Sequence, residues 1–168
     1  MIRQGGDRLR AAMGLFLAAA ILLASSRAAA VVSCTATTSG VAFGVYDPLS
    51  GTPTTSTGGI TVNCTLLSGA AVNDATSVYL SAGSSGSYAA RTMVSGTSTL
   101  NYNIYFSPAY QQVWGNGTGG SYYGVATLPL SPGSPTQSAI GTFYGQIPAG
   151  QDVAPGSYSD TIVVTVNY

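Results

Sequence analysis

From about residue 31 onward, apolar and polar side chains alternate with period two again and again, and no helical stripe is present. Ile60, Val62, Cys64 and Leu66 point one way while Thr61, Asn63 and Thr65 point the other, the pattern of a half-buried strand with Cys64 toward the core. Leu100, Tyr102, Ile104 and Phe106 alternate with Asn101, Asn103 and Tyr105 in the same way. Further strands are predicted near residues 41–46, 77–80, 124–130 and 139–147. Gly, Ser, Thr, Pro and Asn clusters at 48–59, 82–87, 115–121 and 131–138 supply the turns between them. Short, evenly spaced strands without an internal repeat predict an all-β protein, an immunoglobulin-like antiparallel β-sandwich, with a small barrel as the alternative.

The last predicted strand runs to the final residue, with Ile162, Val164, Val166 and Tyr168 on one face and Thr161, Val163, Thr165 and Asn167 on the other. Two readings follow. Either this strand completes a sheet, or the sandwich lacks the strand that would lie beside it and leaves unpaired backbone and an apolar groove for a donor strand. The opposite end carries a different signal. Arg3, Arg8 and Arg10 precede an apolar run at 11–24, too short for a bilayer span but suited to a signal peptide. Cleavage after Ala28 or Ala30 is expected, which divides the chain into a signal peptide at 1–30 and one domain at 31–168.

Export changes the reading of the two cysteines. Cys34 and Cys64 lie beyond the signal, so a single disulfide is expected in an oxidising compartment. With no histidine in the chain and no close cysteine spacing, a metal or redox site is disfavoured. From residue 31 the charged side chains are Arg91, Asp47, Asp74, Asp152 and Asp160, a net charge of 1 − 4 = −3. A domain so poor in cations cannot neutralise a run of phosphates, which argues against nucleic acid or an anionic membrane as partner.

Catalytic groups are scarce, since the chain has no histidine, lysine or glutamate. Asp152 and Asp160 could form a glycosidase pair, but their Gly/Pro and strand-start settings favour hydrogen bonding to backbone. Arg91 could recognise a carboxylate ligand, pair with an aspartate, or lie at a loop surface. Tyr110, Trp114, Tyr122 and Tyr123 flank the Gly-rich stretch 115–121 and offer either a surface contact by stacking or core packing. No catalytic residue, metal or cofactor is therefore assigned, and the chain is not expected to be an enzyme.

Several stretches, taken in order, resemble the spore coat protein U domain family, which includes the archaic Csu-type chaperone-usher pilins. They are Phe43-Gly44-Val45-Tyr46, Ile60-Thr61-Val62-Asn63-Cys64, Arg91-Thr92-Met93, Leu100-Asn101-Tyr102-Asn103-Ile104-Tyr105, Trp114-Gly115, Tyr144-Gly145-Gln146-Ile147-Pro148-Ala149-Gly150-Gln151 and Gly156-Ser157-Tyr158-Ser159-Asp160-Thr161. The resemblance implies an immunoglobulin-like subunit lacking its last strand. A periplasmic chaperone would hold it, an outer-membrane usher would assemble it with other pilin subunits, and a donated strand would complete it in a fibre on the cell surface. It implies a groove walled by Ile162, Val164, Val166 and Tyr168, with Val41, Phe43 and Val45 opposite, and a Cys34–Cys64 pair. The few residues left between the expected cleavage and Cys34 are too short for a donor strand of roughly ten residues. A tip or terminal subunit of an adhesive, biofilm-forming pilus, or a coat component that is not polymerised head to tail, is therefore expected. The alternative is a self-contained secreted β-sandwich that binds a surface or glycan.

Overall fold

A computed structural model describes residues 29–168, and the expected leader lies outside the described residues except for Ala29 and Ala30. Eight strands form: β1 (Val31–Ser39), β2 (Thr54–Ser68), β3 (Val72–Leu80), β4 (Arg91–Ser95), β5 (Ser98–Tyr105), β6 (Gly124–Leu130), β7 (Thr136–Ile147) and β8 (Val164–Asn167). They build a five-stranded sheet in the order β1-β2-β7-β5-β4 and a three-stranded sheet in the order β6-β3-β8. Every pairing within the sheets is antiparallel, and the result is the two-layer, immunoglobulin-like sandwich expected from the alternation. No helix among the described residues is long and apolar enough to cross a membrane.

The inward faces close on one core. Ile60, Val62 and Leu66 of β2 and Leu100, Tyr102 and Ile104 of β5 meet Val78 and Leu80 of β3 and Leu128 and Leu130 of β6. Each such side chain contributes about 1.5–3 kcal/mol when fully withdrawn from water. The disulfide joins Cys34 to Cys64, which face each other across β1 and β2. β1 itself carries almost no alternation, because as an edge strand it is exposed on both faces from Thr35 to Ser39, and the sequence pattern does not reveal it.

Residues 41–46 depart from the predicted strand. They form no ladder and include Gly44 in the left-handed region at φ +73°, and instead Val41 and Phe43 pack on the core. Gly145 of β7 makes room for them: a Cβ there would meet Val41 Cγ1 at 2.6 Å and Phe43 Cζ at 2.7 Å. Tyr46 anchors the far end, its hydroxyl donating to the Pro148 carbonyl at 3.2 Å and accepting from the Gln151 amide at 2.7 Å. Gln151 in turn ties the turn after β7 to β5, because its side-chain amide both accepts from Asn101 N at 2.8 Å and donates to Asn101 O at 2.9 Å. The side chain thus stands in for one residue of a neighbouring strand.

Candidate functional site

The two sheets do not meet along one side. Two adjoining cavities of about 280 and 640 Å³ open there. One wall is the end of β1 and the segment that follows it, with Thr38, Val41 and Phe43; the other is the chain leading into β8 and the first residue of that strand, with Tyr158, Asp160, Ile162 and Val164. Leu80, Met93, Tyr102, Ile104 and Phe143 form an apolar floor. β8 pairs with β3 on one side, and among the described residues no strand pairs with its other side. The opening is therefore an apolar groove running beside a free strand edge.

The wall residues named from the sequence fall at different depths. Val41, Phe43, Ile162 and Val164 line the first cavity, and Val41, Phe43 and Val45 the second. Val45 is 91% exposed and borders only the mouth. Val166 packs against the core opposite Val78 and lines neither cavity. Tyr168 follows the end of β8 and is more than half exposed.

Asp160 fixes the polar end of the groove. Its carboxylate accepts from Ser84 N at 2.9 Å, from the Ser84 hydroxyl, from Tyr102 OH at 2.7 Å and from Thr161 N at 2.8 Å. Gly83, in the left-handed region at φ +69°, lets this turn approach, since a Cβ there would collide with Asp160 Oδ2. Burial pushes the Asp160 carboxyl up, but the hydrogen bonds from Ser84, Tyr102 and Thr161 outweigh it and hold the group below its ordinary range. Burial, reinforced by the bond to Asp160, raises the Tyr102 phenol and keeps it a donor. A depressed carboxyl stabilises the fold above the unfolded value and loses that contribution as pH falls through the folded one. Asp160→Asn should therefore remove part of the acid limb of the stability–pH curve. Urea midpoints of the variant and the native chain are expected to differ at neutral pH and converge in acid, and a constant gap would contradict this role. Asp152 is exposed in the loop after β7, so the two aspartates have unrelated, structural settings.

Arg91 occupies none of the three places expected from the sequence. It is fully buried, and its guanidinium donates to three uncharged oxygens. These are Ser81 O at 3.1 Å from Nε and 2.8 Å from Nη2, Trp114 O at 2.7 Å, and Asn103 Oδ1 at 2.7 Å. Asn103 completes the link by donating to Tyr88 O at 2.8 Å, which explains why a residue on the polar side of the β5 pattern is buried. Burial lowers the Arg91 pKa, with Tyr102, Tyr88 and Asp160 acting in the opposite sense.

The aromatic residues around 115–121 do not converge. Trp114 is buried, stacked on Phe106 at 4.2 Å, and its indole donates to Val78 O at 3.1 Å, so it is withdrawn from any surface. Tyr110 packs edge-on against Tyr105 at 5.5 Å. Tyr122 and Tyr123 are exposed, Tyr123 being stacked on Tyr79 at 4.9 Å. Cys34, Cys64 and Asp74 lie close together, but the sulfurs are bonded to each other and offer no thiolate to a metal.

A family model described as the Spore Coat Protein U domain matches residues 19–165. Among curated proteins, Protein U of Myxococcus xanthus is 36% identical over 135 residues, which is 75% of this chain and 70% of that protein. Among solved structures, the chain is similar to a chain of the CsuC–CsuE chaperone–tip adhesion subunit pre-assembly complex from archaic chaperone-usher Csu pili of Acinetobacter baumannii, at a TM-score of 0.52 and 26% identity. That match covers 82% of this chain and 40% of the other, so this chain spans about two fifths of its length.

Proposed function

The chain belongs to the Spore Coat Protein U domain family, and from that premise we propose that it is an exported structural or adhesive subunit of a bacterial surface fibre. Assembly, not turnover, is its role. The observation that carries the reading is the apolar groove between Val41–Phe43 and the free edge of β8. An extended segment laid there would hydrogen-bond to the β8 backbone, while alternate side chains enter the two cavities and set register. A periplasmic chaperone would supply that segment during transit, and a neighbouring subunit would replace it at an outer-membrane usher. Residues 1–30 would serve as the cleaved signal and 31–168 as the working domain.

The subunit would accept a strand without donating one from residues 31–39, because these are committed to β1 and tied to β2 by the disulfide. That suits a tip or terminal position, where Tyr122 and Tyr123 would be available for adhesion. Amino-terminal sequencing of the exported protein should give a start at residue 29 or 31, and a start far upstream would remove this part of the reading.

A charge in the groove tests the site. Ile162 lines the first cavity, whereas its neighbour Val163 is 59% exposed. Burying an unpaired carboxylate costs well over the ~1.4 kcal/mol that corresponds to tenfold in affinity. Ile162→Asp should therefore reduce recovery with a pilus chaperone at least about tenfold, and Val163→Asp should leave it unchanged. Equal behaviour of the two variants would place chaperone binding elsewhere.

A further inference from the structure

Among the described residues the sandwich has, besides the groove, one outer strand edge that nothing blunts, that of β1. Each outer strand except β1 shows a feature that blocks or reserves it. β4 exchanges backbone bonds with Ser159, from Val94 N at 2.9 Å and to Val94 O at 3.2 Å. β6 carries Pro129, which has no N–H to offer. β8 faces the groove. β1 is nine residues long and has neither proline nor charge, and no strand among the described residues pairs with its outer side. Natural sheets blunt such an edge with lysine, proline or a covering segment, and among the described residues β1 has none of these.

The register states which backbone groups face outward. Cys34 and Cys64 are directly opposed with Cα atoms 4.1 Å apart, the close spacing of a non-hydrogen-bonded antiparallel pair. Their alternation gives Val32, Ala36 and Thr38 the same status, opposite Leu66, Val62 and Ile60. The N–H and C=O groups of these residues therefore point away from β2, while Ser33, Thr35 and Thr37 bond to it. Thr38 lines the groove, which leaves Val32, Cys34 and Ala36 as an outward ladder independent of that site.

We infer that this edge pairs with the same edge of a second copy of the chain. An antiparallel strand edge is self-complementary about a two-fold axis. With the axis at Cys34, Val32 lies opposite Ala36 of the other copy and Cys34 opposite Cys34, each pair exchanging both backbone bonds. A second copy is favoured over a charged partner because neither β1 nor the adjoining β2 carries any charged residue to attract one or to repel its own like. Ser33 then faces Thr35 of the other copy on the outer side, so the five-stranded sheets become one continuous sheet.

Ala36→Pro removes one outward N–H without touching the β1–β2 bonds, and Ser33→Lys with Thr35→Lys sets like charges against each other in this register. Sedimentation and amide hydrogen exchange of the domain, alone or with its bound chaperone, read the result. The native domain should sediment as a two-fold species in which the Val32, Cys34 and Ala36 amides gain protection with concentration. Self-association should weaken at least tenfold in both variants and return when Ser33→Glu is combined with Thr35→Lys. Concentration-independent exchange of these amides, or association unaffected by Ala36→Pro, would overturn the inference.

Discussion

Replacing Arg91 by methionine is expected to destabilise the domain by at least about 2 kcal/mol, because Ser81 O and Trp114 O are each left without a donor at a cost of about 1–3 kcal/mol, while Asn103 Oδ1 keeps only the Ile104 N–H. Methionine keeps much of the aliphatic stem, so packing is largely preserved and the loss isolates the hydrogen bonds. The acceptors are Ser81 O, Trp114 O and Asn103 Oδ1, and they belong to three separate parts of the chain. A single planar cation therefore holds β4 and β5 against the ends of two loops. Arg91→Lys retains the charge but cannot fork to three oxygens, so it should fall between the native chain and the methionine variant. Urea unfolding followed by tyrosine and tryptophan emission measures the series. A methionine variant within about 0.5 kcal/mol of the native chain, the range of ordinary surface substitutions, would contradict the role assigned to Arg91.

The consequence reaches the groove. Arg91 opens β4, and Met93 two residues later points to the same side and forms part of the groove floor, as does Tyr102, which faces Arg91 across β5. Loosening this corner should weaken partner-strand binding as well as stability, because Ser81 adjoins Leu80 and Asn103 lies between Tyr102 and Ile104, all three on the groove floor.

Removing the disulfide is expected to have the second large effect. The Cys34–Cys64 bond closes a loop of sequence separation 30, for which the chain-entropy relation gives about 3–4 kcal/mol. The loss should fall mainly on β1, whose nine residues otherwise depend on one neighbour, β2. The double variant Cys34→Ala, Cys64→Ala should show a lowered urea midpoint and early proteolysis near residues 31–39. A reductant should reproduce both changes in the native chain and do nothing further to the variant. Unchanged midpoints on reduction would mean that β1 is secured by packing and backbone bonds alone.

The parts of the fold legible in the sequence are those with one wet and one dry face. β2 and β5 show their alternation because Ile60, Val62, Leu66, Leu100, Tyr102 and Ile104 are buried while their neighbours, Asn103 excepted, are less buried. β1 escapes because an exposed edge strand does not need alternation, and a run of Ser, Thr and Ala resembles a loop. Residues 41–46 mislead in the opposite way: Val41 and Phe43 bury themselves and give the periodicity, but the side on which a ladder would form is the open groove. Of the groove walls, Ile162 and Val164 were legible from the alternation over 161–168, whereas Tyr158 and Asp160 were not, since their positions depend on how the turn at Ser84 folds back. Arg91 had no readable role because its partners are carbonyls brought together only by the tertiary fold. Trp114 stood in a Gly-rich setting that suggests a surface, yet Gly124 and Gly141 are the small residues its ring packs beside.

On the proposed function, the groove beside β8 accepts a strand from another chain. The most direct measurement is expression of the domain in a periplasm with and without a pilus chaperone, followed by gel filtration and unfolding of what is recovered. The expected result is recovery as a one-to-one complex with the chaperone and, without it, a lower yield of a domain with a lower urea midpoint. Recovery without the chaperone of a stable domain that unfolds cooperatively, and that gains nothing when the chaperone is supplied, would contradict it and favour a self-contained surface-binding module.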